Sequence, residues 1–301
     1  MYDHVPLKYL RALATRYGVK VGRRDQDEIV VELLGRDAKH DLDHLEREFY
    51  FTAQGPALFI LRSGRAWKWP NGDEFLGEFR SIWQVEEGHE GRPALSDVPQ
   101  IVAWRRSENR IFLKMVEGRV RERVVGYDRE LQQYAHYTHA VLDFTEKVVE
   151  LRCWVQDINQ YMDVMSSLVG EPVAIAADIS STDEVEKIAR MLQTNASQRH
   201  VGVQSSELGS LEFNAMRGVD LRTAPTYQAL AEAVAEQVGS GELISEVNNF
   251  EFIDPGTGLT IDVSFQIKMR QGGRPGYLRF VTHPSESVID RVREALIEVV
   301  V

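Results

Sequence analysis

The chain has 301 residues, enough for two domains, with one as the alternative; 43 % are hydrophobic and 27 % charged, which excludes disordered and fibrous classes. No apolar run reaches the roughly 20 residues that span a bilayer, the N-terminus lacks the pattern of a secretory signal, and a single cysteine, Cys153, excludes an intrachain disulfide. A reducing cytoplasmic or nuclear setting is therefore expected. The net charge of -11 is unevenly spread: residues 6–36 carry seven Lys or Arg against four Asp or Glu, whereas residues 127–301 carry 14 basic and 26 acidic residues. A polyanion would be repelled by the second part and tolerated by the first.

Leu7, Leu10, Leu13, Ala14 and Tyr17 recur at helical spacing, and Gly18 follows where a left-handed stop is cheap. Asp25 and Glu28 form a capping box for a second helix that buries Ile29, Val30, Leu33 and Leu34 and stops at Gly35. Lys8, Arg11, Arg16, Lys20, Arg23 and Arg24 are left for the outside. This helix, extended loop and helix resembles the SAP and Rho-N modules, a likeness that implies nucleic-acid binding. A small helical cap with solvated charges fits the same residues.

Residues 37–54 read as an acidic helix with His40 and His44 at i, i+4, a zinc-compatible spacing without a third ligand; the solvated helix face is the simpler account. Residues 57–61, 66–69, 75–85, 101–105, 111–116 and 120–125 read as strands of antiparallel hairpins, with turns at 70–73 and 107–109 and a loop over 88–99. Arg119, Arg121 and Arg123 alternate and so share a strand face, with Arg105, Arg106, Arg110 and Lys114 on the neighbouring hairpin and Trp67, Trp69, Trp83 and Trp104 interleaved. Cations and aromatics on an open sheet can hold phosphates and stack bases. Equally, the tryptophans can form the core while the arginines pair with Glu86, Glu87, Glu117 and Glu122.

Residues 130–144 carry a helical stripe (Leu131, Tyr134, Ala135, Thr138, Leu142), placing His136 and His139 on one polar flank. Residues 147–155 alternate as a strand that buries Cys153 as a small apolar residue, and a helix with Ile158, Tyr161, Met162, Met165 and Leu168 follows to Gly170. Beyond it come a strand over 173–179 and a helix opened by the Ser181 and Glu184 capping box. A polar stretch over 194–209 follows, with candidate strands at 200–204 and 210–216, then a helix capped by Thr223 with Pro225 at its start. The last 50 residues read as three antiparallel strands, 250–253, 259–269 and 277–281, covered by a terminal helix.

The expected class is α+β: an N-terminal helical module (1–54), an antiparallel β-rich domain with helices (55–170) and a C-terminal α+β domain (171–301). Phosphate-loop, dinucleotide and nucleophile-elbow motifs are absent, and neither a cofactor nor a resident metal is expected. Asp254, Asp262 and Gln266-Ile-Lys268 resemble the PD-(D/E)xK nuclease pattern, whose carboxylates would hold Mg²⁺.

The order of elements over 101–169 and 247–299 resembles the centromere protein N family. It is carried by the hairpin at 101–115, Lys147-Val-Val-Glu-Leu-Arg-Cys leading into a helix, and Tyr277-Leu-Arg-Phe-Val-Thr-His-Pro leading into the last helix. The likeness implies a DNA-associated scaffold that pairs with a related subunit, as a homo- or heterodimer. The expectation is thus a non-enzymatic protein, with DNA on the cations of the N-terminal half and a protein partner on the acidic C-terminal part. The alternatives are a protein-interaction subunit and a Mg²⁺-dependent nuclease.

Overall fold

A computed structural model describes residues 2–53, 55–83, 85–125, 128–203, 209–239 and 241–301. Eight α-helices and eleven strands among the described residues make an α+β protein, with antiparallel pairing at each strand pair whose register is described below. Two compact units divide the chain: Met1–Gly55 with Ala177–Val301, and Pro56–Ala176 between them in sequence.

The first unit begins with α1 (Leu7–Arg16), α2 (Gln26–Leu34) and α3 (Lys39–Phe49). α1 buries Tyr9, Leu10, Leu13 and Ala14, and the chain leaves it through Gly18 at φ 67°. The capping box at α2 is present: Asp25 accepts from the Glu28 N–H, and the Glu28 carboxylate accepts from the Asp25 N–H. Gly35 ends α2 in right-handed conformation, and the left-handed step falls on Asp37 at φ 60°.

The second unit holds β1 (Ala57–Ser63), α4 (Gly72–Trp83), β2 (Gln100–Ser107), β3 (Arg110–Val125), β4 (Asp128–Asp143), β5 (Val148–Cys153), α5 (Ile158–Val169) and β6 (Val173–Ile175). Its strands pair antiparallel in the order β2-β3-β4-β5-β1, and β6 adds to β1. Several elements differ from the sequence reading. The strand expected over 75–85 is α4 as far as Trp83, and Gln84 lies outside the described residues. Asn71 accepts from the Glu74 N–H at 2.9 Å while its own side-chain amide donates back at 3.1 Å, so the supposed turn at 70–73 is a helix cap. No strand forms over 66–69; Trp67 packs edge-on against Phe144 at 5.2 Å, and Trp69 Nε1–H donates to the Leu168 carbonyl.

The helix expected over 130–144 is β4, paired with β3 along its length and with β5 from His139 onward. As a helix it would bury Leu131; as a strand it leaves Leu131 79 % exposed. The strands expected at 111–116 and 120–125 are one strand, β3. It runs through Gly118, where a side chain would press on Leu95.

The first unit resumes with α6 (Thr182–Leu192), β7 (Asn195–Gly202), β8 (Ser210–Asn214), α7 (Pro225–Val238), β9 (Leu243–Ile253), β10 (Thr260–Lys268), β11 (Tyr277–Phe280) and α8 (Glu286–Val300). Ser181 and Glu184 form the expected box. Thr223 does not cap α7; Ala224 occupies the N-cap without a side-chain bond. The C-terminal sheet has five strands in place of three, in the order β11-β10-β9-β7-β8, because the polar stretch after α6 pairs with β9. The strand expected over 200–204 lies within β7 up to Gly202; Val203 falls beyond the strand and Gln204 is outside the described residues, and the strand expected over 173–179 stops at Ile175. Phe265 packs against Phe250 and Phe280, and Val288, Ile289, Val292 and Leu296 of α8 are buried.

Candidate nucleic-acid interface

With Leu10, Leu13 and Ala14 turned inward, the helical period puts Lys8, Arg11 and Arg16 on the outer face of α1. Lys8 Nζ lies 4.7 Å from the Tyr9 ring centre. Lys20 and Arg23 are exposed on the loop that follows, and Arg24 reaches Glu32 of α2 at 3.1 Å. Among the described residues Arg11, Arg16, Lys20 and Arg23 are exposed and have no carboxylate partner. Such cations keep their full field toward solvent and give up little on meeting a phosphate.

The cations of the second unit are held differently. Arg105 stacks on Phe112 at 4.8 Å. Arg106 grips the Asp73 carboxylate with both terminal nitrogens, and its backbone N–H donates to Glu87 at 2.8 Å. Lys114 is buried, 2.7 Å from Glu90 and 4.9 Å from the Tyr137 ring. Arg119, Arg121 and Arg123 share one face of β3, opposite Tyr134, Gln132 and Glu130 of β4. Arg119 turns back between Glu117 and Asp157, 2.7 Å from the latter, while Arg121 donates to Gln132 at 3.0 Å and sits 5.5 Å from the Tyr134 ring. Only Arg121 and Arg123 of this set are exposed. Trp104 and Trp67 are buried, and Trp83 stacks on Phe79 at 5.6 Å, so these rings belong to an aromatic cluster around Phe75.

Beyond Gly118 the β3–β4 hairpin has no further strand beside it among the described residues, since β2 pairs only up to Val116 and β5 only from His139. Where it joins the sheet, Glu117, Arg119, His136, Thr138 and Cys153 gather beneath Asp157, Gln160 and Tyr161. Gln160 donates to Glu117 at 2.7 Å, and His136 Nε2 lies 3.6 Å from Asp157. Burial pushes the Cys153 thiol and the Tyr161 phenol up, and burial with the nearby Arg119 charge holds His136 below its usual range. A thiol kept protonated in this way is no nucleophile. His136 and His139, three apart on a strand, point to opposite faces, so the histidine pair expected on one helical flank does not form.

The nuclease-type residues are also separated. Asp254 is buried in the β9–β10 turn, where its carboxylate accepts from the Thr257 N–H at 2.7 Å and the Thr257 hydroxyl at 2.6 Å. Asp262 and Lys268 lie on one strand six residues apart, roughly 20 Å at strand rise. His40 is exposed, whereas His44 turns to Asp254 at 3.2 Å. That contact joins residues 210 apart in sequence, whereas the i, i+4 pair read from the chain was His40 with His44.

A buried group that no motif announces lies in β7 and β9. Glu246 is fully buried between Arg199 at 2.9 Å and Arg222 at 3.7 Å, and burial pushes its carboxyl up. Arg222 also donates to Asn248 and to the Thr194 carbonyl, which ties α6, β7 and β9 together. Among the described residues no helix is long and apolar enough to cross a membrane. Comparison with known proteins finds no family model that matches the chain and no curated relative.

Proposed function

We propose that the chain is a non-enzymatic nucleic-acid-associated or scaffold protein that meets the phosphate backbone through α1 and the loop after it. The observation that carries this reading is the group Arg11, Arg16, Lys20 and Arg23, exposed and without carboxylate partners among the described residues. The neutralised Arg106, Lys114 and Arg119 move the weight of the contact away from the hairpins and toward the N-terminal helices. The likeness to the centromere protein N family fits the same reading. It is a weaker support, because the element after the 101–115 hairpin is β4 and not a helix. The acidic C-terminal part would serve a protein partner.

Fluorescence anisotropy with a labelled DNA duplex at about 50 mM salt tests the proposal. The wild type should bind, R11Q/R16Q/K20Q/R23Q should lose most of the affinity, and R121Q/R123Q should change it little. Absence of wild-type binding below roughly 100 μM at low salt, where phosphate contacts are strongest, refutes it.

A second reading, a surface for a protein partner, is favoured by the other face of the hairpin. Val120 and Leu131 are 62 % and 79 % exposed there, and the register places them as diagonal neighbours. It predicts a complex that survives salt and is lost in L131E, with no DNA affinity.

A further inference from the structure

His44 and Glu48 stand one turn apart on α3 and so share a face. Facing them is Asp254, whose side chain is 1 % exposed. One donor atom from each residue, an imidazole nitrogen and two carboxylate oxygens, lies within 4.8 Å of the others. Both carboxylates are held by other groups, as ligands of bound metals are. The Thr257 N–H and hydroxyl fix one Asp254 oxygen. The Ser287 N–H, in the first turn of α8, donates to Glu48 Oε2 at 2.8 Å and leaves Oε1 for another bond. The His44 ring occupies the space where Gly256 lacks a side chain, and a Cβ there would overlap the ring.

A hydrogen bond between His44 and Asp254 accounts for two of these residues. It does not account for Glu48, which brings a second carboxylate to the same point with no lysine or arginine paired to Glu48 or Asp254 among the described residues. An imidazole and two carboxylates that converge on one point form a donor set that a divalent cation can complete. A divalent ion about 2.0–2.2 Å from each donor requires inward shifts on the order of 1 Å, within the reach of side-chain rotation. One imidazole with two carboxylates suits zinc or manganese better than magnesium or calcium, which take oxygen alone.

We infer that His44, Glu48 and Asp254 form a divalent metal centre of the zinc and manganese class. The ion clamps α3 to the β9–β10 hairpin and leaves a further coordination position for water. It is a joint between the N-terminal helices and the C-terminal sheet of the first unit, separate from the cations on α1.

Calorimetric titration of the full chain, stripped with EDTA, with zinc chloride tests the assignment. One equivalent should bind to the wild type and to H40A, a histidine on the same helix outside the group. The affinity should fall at least about tenfold in H44A and in E48Q. Glu48→Gln keeps an oxygen for the Ser287 N–H and removes the charge, so it decides the matter if His44→Ala does not fold. No stoichiometric binding to the wild type, or unchanged affinity in E48Q, overturns the inference.

Discussion

His283 lies between β11 and α8 and seats the helix that carries the basic face. Its carbonyl accepts from the Tyr9 hydroxyl of α1 at 3.1 Å, its Nε2 lies 2.9 Å from the Thr52 hydroxyl, and its ring meets Phe49 of α3 edge-on at 5.4 Å. Burial, with the charges of Lys8 and His4 nearby, pulls its pKa down from 6.5 to about 4. Above pH 6.5 the imidazole is neutral in both folded and unfolded chains. Between about 4 and 6.5 only the unfolded chain takes the proton, so stability falls as pH falls through that window. At 1.36 kcal/mol for each tenfold, the loss amounts to about 3 kcal/mol by pH 4. His283→Gln removes the titration. Urea unfolding followed by far-ultraviolet circular dichroism at pH 7, 6, 5 and 4 should show the stability difference between wild type and H283Q shifting by about 3 kcal/mol toward the variant. Parallel pH profiles for the two proteins would refute the buried, neutral histidine.

Other consequences are open to direct measurement. Gly256→Ala forces a methyl group into the His44 ring and should cost about 1–3 kcal/mol in thermal unfolding. Asp25→Ala removes the side-chain half of the α2 capping box and should cost about 1 kcal/mol, seen as faster amide exchange in the first turn of α2. Cys153, buried and held protonated, should react slowly with Ellman's reagent in the native protein and rapidly in guanidinium.

What could be read in the sequence was local. Asp25 with Glu28 and Ser181 with Glu184 opened helices as expected, and Gly18 and Gly170 ended them, because a cap involves residues a few positions apart. Residues 130–144 failed for the opposite reason. Leu131, Tyr134, Ala135, Thr138 and Leu142 fit a helical period, yet partners on β3 and β5, distant in the chain, decide their conformation. Residues 75–85 read as a β-rich run, while the signal that decides them is Asn71 as an N-cap.

The candidate interface divides along the same line. Which residues were cationic was plain, and so was the shared face of Arg119, Arg121 and Arg123. Which of them met a carboxylate was not. Arg106 finds Asp73 33 residues away and Arg119 finds Asp157 beyond β4, and such pairs depend on strand register and on where a helix lands. His44, Glu48 and Asp254 were hidden likewise, because two are on α3 and the third is in a turn near the end of the chain.

The salt dependence of DNA affinity tests the central claim most directly. Four unpaired cations, each neutralising one phosphate, give a slope of log affinity against log salt of about -3.6, a loss of roughly 150-fold between about 50 and 200 mM. Anisotropy titrations should return that slope for the wild type and a nearly flat line for R11Q/R16Q/K20Q/R23Q. A wild-type affinity independent of salt, or the same slope in the quadruple variant, would contradict the account.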